Sequence, residues 1–313
     1  MKYIVRKLIS FFVTLSLVSF LVFAAFAVIP GDPALSKLGT DATPSQLAAL
    51  RGEMGLNRPL LVRFGSWAVS FLQGDMGTSY SYDRPVAGMI LDKIPITLTL
   101  ALMAFVLTIV IALPLGIYAA KHEGKWPDRL IYCMGQVTMA VPPFFLGILL
   151  TFFFGLVLRW FTPGGYVSYQ SDFLGFLGYL FFPALAIALP KAAMALKLLR
   201  GSVIQEARQD YVKTAYSRGN NTNQVLYKHI LKNALIPVVT FLGMTLTDMI
   251  AGSIIVEQVF SIPGLGRILM TSISGRDYPV VQAIIVWIAI LVLVINLIVD
   301  PIYKGIDPRI RME

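Results

Sequence analysis

Runs of apolar residues long enough to cross a bilayer recur along this 313-residue chain, and they leave few folds open. A hydrocarbon core about 30 Å thick is spanned by about 20 helical residues. Such runs fall at approximately 8–29, 95–120, 130–158, 174–194, 235–256 and 280–302. Inside lipid each backbone N–H and C=O has to be satisfied within the segment, so spans of this kind are helices. Composition agrees, since only 14% of residues are charged, against about 25% in soluble domains. The chain reads as an all-α membrane protein with six transmembrane helices. "AVPPFF", Ala140 to Phe145, is expected to bend the third span, because Pro142 and Pro143 remove backbone donors in mid-helix.

Six spans place both termini on one side. Of the 26 Lys and Arg, 17 fall on that side, Lys191 among them, and the other nine are spread over longer loops and balanced by acids such as Asp75, Asp92 and Glu257. The bias puts both termini in the cytoplasm. It also accounts for the net charge of +9 without nucleic acid. The first run follows basic residues as a signal peptide would, yet exceeds a signal core of about 7–15 residues, so a retained anchor is expected. The lone cysteine, Cys133, excludes an intrachain disulfide and is expected as a core thiol.

The chain divides into residues 1–94, the first span with an external segment, and 95–313, a five-helix core. In the external segment, Thr43, Pro44 and Gln46 form a capping-box pattern and Gly55 supplies a stop. After Pro59 an amphipathic stripe of Leu61, Phe64, Trp67, Ala68, Phe71 and Leu72 follows. It reads as a cap over the outer helix ends and a surface for an external partner.

The cytoplasmic piece, about 195–234, holds the most polar stretch of the chain, "YVKTAYSRGNNTNQVLYKHILKNALIP". Val203, Ala207, Tyr211 and Ala215 are expected to form one helical stripe. Gly219-Asn220-Asn221 breaks it, since Gly and Asn tolerate left-handed backbone. Thr222 then caps a short second helix bearing Val225, Leu226 and Ile230. The expectation is helix, sharp turn, helix: a knob for a soluble partner, or else a basic helix lying in the headgroups.

These residues resemble a known family. Thr214, Ala215 and Gly219 match the "T-A-x-x-x-G" core of the cytoplasmic EAA loop of ATP-binding-cassette importer permeases. "DYVKTAYSRG" with "HILKNALIPVV", "IPGDPA", "GLNRPL" with Trp67, "GDMGTS", "IIVEQVFSIPGLGR", "GRDYPVVQ" and "DPRIR" resemble, in order, the dipeptide, oligopeptide and nickel branch. Lys213 departs from the general loop, which has Glu there, and Thr214 stands where that loop has Ala. The resemblance implies a type I importer permease in a bacterial inner membrane. It would pair with a second permease, two cytoplasmic ATPases that hold ATP and Mg, and an external solute-binding protein. The turn would be the coupling helix, with Tyr211, Lys213, Thr214, Ala215, Arg218, Gly219, Asn220, Asn221 and Val225 at the ATPase.

The rest of the chain carries no catalytic pattern. No G-x-x-x-x-G-K-[ST] loop is present, so the chain brings no nucleotide site of its own. His122 and His229 lack partners at ligand spacing, so no metal is expected, and no G-x-S-x-G elbow appears. Asp248 is the one clear charge inside a span. It would line the pathway, bond Thr245 or Thr247, or face a partner permease. In an ion-coupled secondary transporter, the alternative of a different class, it would carry the coupling ion. Gln136 and Asn296 are weaker pathway candidates, with interhelical bonding as their other role. Glu257, Phe260 and Pro263, beside apolar Val259, Ile262 and Leu265, are expected to dip back and close the outer side.

The charge bias has a direct test. In a Cys133→Ser background, single cysteines at Ser45 and Asn221 should react with impermeant reagents from opposite sides of the membrane. Labelling from the same side refutes the topology.

Overall fold

The computed structural model describes residues 2–28, 33–39 and 42–306, and these are helical almost throughout. Helices α1 (Lys2–Val28), α2 (Pro33–Leu38), α3 (Pro44–Glu53), α4 (Leu60–Leu72) and α5 (Val86–Leu91) lead into α6 (Ile94–Lys121). Then come α7 (Trp126–Ala140), α8 (Pro143–Leu150), α9 (Phe173–Ala207), α10 (Asp210–Ser217) and α11 (Thr222–Val225). Helices α12 (Leu231–Val259), α13 (Leu265–Ser274) and α14 (Tyr278–Ile306) complete the chain. Among the described residues five helices are long and apolar enough to cross a membrane, and the bent pair of α7 with residues 143–157 brings the number to six if it is counted as one span. The expected turn at 29–32 and the terminal "DPRIR" lie outside the described residues.

Two compact units emerge: residues 1–97 with 263–294, and 98–262 with 295–313. Residues 263–294, which the sequence reading kept in the core, thus group with the N-terminal segment.

The reason lies in long-range polar contacts within the first unit. Asp277, fully buried, accepts hydrogen bonds from the Ser79 hydroxyl (2.5 Å), the Tyr80 N–H (2.9 Å) and the Ser81 N–H (3.3 Å). The Leu265 N–H donates to Thr97 Oγ1 (3.0 Å), and the Trp287 indole N–H to Met76 Sδ (3.4 Å). So "GDMGTS" and "GRDYPVVQ", almost 200 residues apart, form one knot. Burial pushes the Tyr80 hydroxyl up to about 12, with Asp277 adding to the rise and Arg63 opposing it.

The capping box at Thr43 forms as read, with Gln46 N–H on the Thr43 hydroxyl and Thr43 N–H on Gln46 Oε1. Gly55 has φ +64°, a left-handed stop. Of the α4 stripe, Phe64, Trp67, Ala68 and Phe71 turn inward while Leu61 and Leu72 stay exposed. Phe20 and Phe23 of α1 pack edge-on against Phe64, and Phe23 also meets Trp67. Leu8, Ile9, Phe12, Val13, Leu17 and Leu21 are left exposed on α1, an apolar surface of the kind that faces lipid.

In the second unit, α9 is the central post. Its 35 residues run well past the expected end at 194, so the cytoplasmic projection begins as a continuation of the span. Small residues let its neighbours approach. A Cβ at Gly116 of α6 would lie 3.0 Å from Leu199 Cδ2, and the Thr108 hydroxyl reaches the Ala188 carbonyl at 3.4 Å. The third span does more than bend: α7 and α8 meet at 105°. Val141 (φ −94°, ψ 124°) and Pro142 (φ −61°, ψ 145°) are both extended, because the ring of a proline disfavours helix at the residue before it. Cys133, on α7, is exposed rather than in the core. Asp128, at the start of α7, receives Arg200 Nη2 at 2.7 Å and the Gly124 N–H at 2.9 Å, an anchor to α9 that no local pattern announces.

Asp277→Ala leaves three donors without their acceptor and should destabilise the first unit by about 2–4 kcal/mol. Limited proteolysis between residues 78 and 85 should accelerate with it. Unchanged resistance would mean that the segment is held by something else.

Candidate functional site

The polar stretch folds into a tight helical elbow. Helix α9 ends at Ala207, Arg208 and Gln209 turn the chain, and α10 starts at Asp210. The expected single stripe is therefore split: Val203 is buried, but Ala207 and Tyr211 are exposed, and Val212 takes the inward place beside Ala215. Helix α10 closes with the Asn220 N–H on the Ala215 carbonyl (3.4 Å) and the Gly219 N–H on the Tyr216 carbonyl (2.9 Å). These are the paired bonds of a Schellman motif, which requires a left-handed residue at its centre. Gly219 supplies it with φ +84°. The Asn220 side chain adds a bond to the Ala215 carbonyl at 3.0 Å.

Asn221, not Thr222, caps α11. Its carboxamide oxygen accepts from the Gln224 N–H (2.9 Å), and Gln224 Oε1 returns the bond to the Asn221 N–H (3.0 Å). Three residues separate Asn221 from a Gln, the spacing a capping box needs, whereas Thr222 has Val225 in that place. A π-helical turn, Leu226–Ile230, then joins α11 to α12.

The elbow has two faces. Val212, Ala215, Val225, Leu226 and Ile230 are buried in a core shared with Ala112, Leu196, Leu199, Val203 and Val238 of the spanning helices. Ala215 and Val225, placed at an ATPase by the resemblance, are thus fixed inside this chain and hold the elbow rather than present a surface. Tyr211, Lys213, Thr214, Arg218 and Asn221 are exposed, and Asn220 is half-buried. Exposed Lys213 pairs with Asp210 at 2.8 Å, a bond that holds the Asp210 carboxyl below and the Lys213 ammonium above their ordinary values. Tyr211 donates to Glu206 Oε2 and accepts from Asn233 Nδ2 at 3.2 Å, bridging three helices. Partial burial and the Glu206 bond push its hydroxyl up.

Within α12, Asp248 does not bond Thr245 or Thr247 among the described contacts. Lys191 Nζ, from the middle of α9, lies 2.7 Å from Asp248 Oδ2 on α12. The sequence reading assigned Lys191 to the cytoplasmic side; the structure pairs it instead with the one acid of the fifth span. The Asp248 side chain is 62% exposed and Lys191 25% exposed in the single chain. An ionisable pair this open on membrane-length helices is one that lipid would not hold, so in a bilayer it would face a cavity or another subunit. Thr247 instead donates to Asn296 Oδ1 at 3.1 Å, so Asn296 links α12 and α14. Gln136 bonds Tyr132 within its own helix at 2.9 Å and ties no second helix by that contact.

Glu257 and Phe260, expected at an outer gate, are core residues in this conformation. The Tyr179 hydroxyl donates to the Phe260 carbonyl at 2.6 Å, and a Cβ on Gly147 would meet the Phe260 ring at 2.9 Å. Ser261 turns the chain with φ +56°. Pro263 lines a shallow hollow with Tyr82, Met89 and Arg267. These residues could gate only if the 257–262 turn moved as a body.

The described residues thus form a multi-span helical membrane protein that carries a capped polar elbow. Comparison with known proteins makes the assignment. The sequence model of the binding-protein-dependent transport system inner membrane component matches residues 112–312, and its N-terminal counterpart matches residues 1–101. The chain belongs to this family, the permeases of ATP-binding-cassette importers. Among its relatives, a probable peptide ABC transporter permease of Sinorhizobium fredii is 34% identical over 99% of both chains. A putative peptide transport system permease of Brucella abortus is 36% identical over 95% of both. The glutathione transport system permease GsiC of Salmonella typhimurium is 36% identical over the full length of both. In structure, the chain is similar to an inward-facing MetNI methionine ABC transporter at TM-score 0.57 and 18% identity, covering 69% of this chain and 94% of that one.

The membrane ion pair has a two-sided test. Because Asp248 is largely exposed, Lys191→Ala or Asp248→Ala should change stability in detergent by less than about 1 kcal/mol. In membranes, each should cut uptake on the order of ten-fold, since an unpaired charge there is costly. The exchange Lys191→Asp with Asp248→Lys should recover most of the loss. A double exchange no better than the single variants would refute the pairing.

Proposed function

We propose that this permease forms half of the translocation pathway of an ATP-driven importer for di- and oligopeptides, and that the 210–225 elbow is its coupling helix. A second, similar permease would complete the pathway. Two ATPase subunits would bind ATP and Mg and hydrolyse the nucleotide, and an external binding protein would deliver the substrate. The observation that carries the reading is the elbow itself: a capped turn, exposed on one face and packed into the spanning helices on the other. Such an element moves as one piece with α9 and α12 when pushed.

The peptide assignment rests on the relatives, two named for peptides and one for glutathione, itself a short peptide. The Lys191–Asp248 pair is consistent with it, since it offers one group of each sign to a zwitterionic substrate. An ion-coupled carrier is less well supported, because the carboxylate that motivated it is already paired. On this reading the outer turn at 257–263 moves with the helices that hold it and closes the external side.

Gly219 provides the test. A Cβ there meets nothing within 4 Å in this chain, so a substitution acts through backbone strain at φ +84°. A β-branched residue in left-handed backbone costs on the order of 1–2 kcal/mol or more, whereas Asn tolerates it. Gly219→Val should leave insertion intact, abolish ATP-driven uptake and loosen the ATPases, and Gly219→Asn should retain most of both. Normal uptake by Gly219→Val with ATPases bound would overturn the coupling role.

A further inference from the structure

Helix α4, 13 residues long, carries three distinct faces. At about 100° per residue, Leu60, Phe64, Trp67, Ala68 and Phe71 share one arc. Phe64 and Trp67 of this arc meet Phe23 of α1, and Phe64 also meets Phe20. Arg63, Ser66 and Ser70 form a second, narrow polar arc, and the first two line a hollow with Lys37 and Arg58. The third arc, about 100° wide, holds Leu61, Val62, Gly65, Val69 and Leu72. All five are exposed, Leu61 by 70% and Leu72 by 84%. A helix that packs one apolar face on a neighbour ordinarily turns polar residues outward. Here the outward face is apolar as well, and a contiguous exposed patch of this kind marks a site of interaction.

The depth of α4 says which partner fits. The spanning stretch of α1 runs from Arg6 to Phe26. Phe23 and Phe20 lie about 5 and 9 Å inside its end, at about 1.5 Å per residue, so α4 packs beside residues that are already within the span. At that level α1 exposes Leu17 and Leu21, and the apolar arc of α4 extends a surface of the kind that faces lipid. Helix α4 does not cross the bilayer, since its 13 residues reach about 20 Å against a core of about 30 Å. Exposed polar residues close both ends, Asn57 and Arg58 before it and Gln73 and Asp75 after it. A short apolar helix with two polar ends and a polar stripe lies along a membrane surface. On that stripe, Arg63 rests over the Phe23 ring, 5.7 Å from its centre, and its long stem carries the charge toward the headgroups.

We propose that α4 is embedded lengthwise in the outer leaflet of the membrane, with Leu61, Val62, Val69 and Leu72 among the acyl chains and Ser66 and Ser70 toward water. The helix that the sequence reads as a cap for an external partner is thereby a membrane anchor for the segment between α1 and α6. A soluble partner arriving from outside would meet the polar stripe and leave the apolar arc bare. A second permease on this face would also have to cover the exposed side of α1, which runs from Leu8 to Leu21 along the span.

The test uses the full chain in a Cys133→Ser background, with Leu61→Cys, Ser66→Cys, Val69→Cys or Leu72→Cys carrying an environment-sensitive fluorophore. All four positions are exposed, so the substitutions leave the packing on α1 intact. The chain is reconstituted in vesicles, alone and with its partner permease and ATPases. Fluorescence is quenched either by lipids brominated on their acyl chains or by iodide in the water. Labels at Leu61, Val69 and Leu72 should be quenched several-fold more strongly by brominated lipid than by iodide, and the label at Ser66 the reverse. The pattern should be the same in the chain alone and in the complex. Stronger quenching by iodide at the three apolar positions would make α4 a water-exposed cap and overturn the proposal. Lipid quenching that disappears when the partner permease is present would assign the arc to that subunit and also overturn it. So would lipid quenching lost on adding the external binding protein, which would assign the arc to that protein.

Discussion

The structure depends on how the cytoplasmic elbow is buried. A polar hairpin outside the membrane has no reason to be rigid unless its inner face is held, and here Val212, Ala215, Val225 and Leu226 are held by residues of α6, α9 and α12. Fully burying side chains of this size contributes about 1.5–3 kcal/mol each for Val or Leu. The Schellman closure at Gly219 and the capping box at Asn221 then satisfy the backbone groups that two helix ends would otherwise leave open. The outcome is a surface of tyrosine, lysine and arginine mounted on the ends of two spanning helices.

The same helices carry the membrane ion pair. Lys191 sits near the middle of α9 and Asp248 near the middle of α12, and both helices end in the elbow core. On the proposed reading, a push at the elbow would be applied to the elements that present the pair. The π-helical turn at 226–230 lies between elbow and span. Turns of this kind insert an extra residue into a helix and recur at functional sites. It lets the elbow face outward without breaking the helical path into α12.

Much of this was legible in the sequence, for physical reasons that also mark where legibility stops. Span positions follow from length and hydropathy, and the left-handed Gly219 follows from Gly-Asn-Asn, because these signals are local. The Thr43 capping box was likewise local and formed as read. The end of α9 was misread, because hydropathy records where lipid ends and not where a helix ends. Pro142-Pro143 announced a break but not its 105° angle, which depends on how α8 packs onto α9 and α12. The Asp277 knot and the Asp128–Arg200 pair were invisible, since residues 198 and 72 positions apart leave no periodic trace.

The central claim is that the elbow transmits motion as a rigid body through its buried face. Leu226→Ala tests it most directly, because it opens a cavity in that face, at a cost of about 2–5 kcal/mol, without altering the exposed surface. Binding of the ATPases, ATP hydrolysis and peptide uptake should be measured separately in one reconstituted complex. The account predicts that binding and hydrolysis persist while uptake per ATP falls several-fold. Uptake that stays fully coupled to hydrolysis would show that force does not pass through this packing, and would contradict the account.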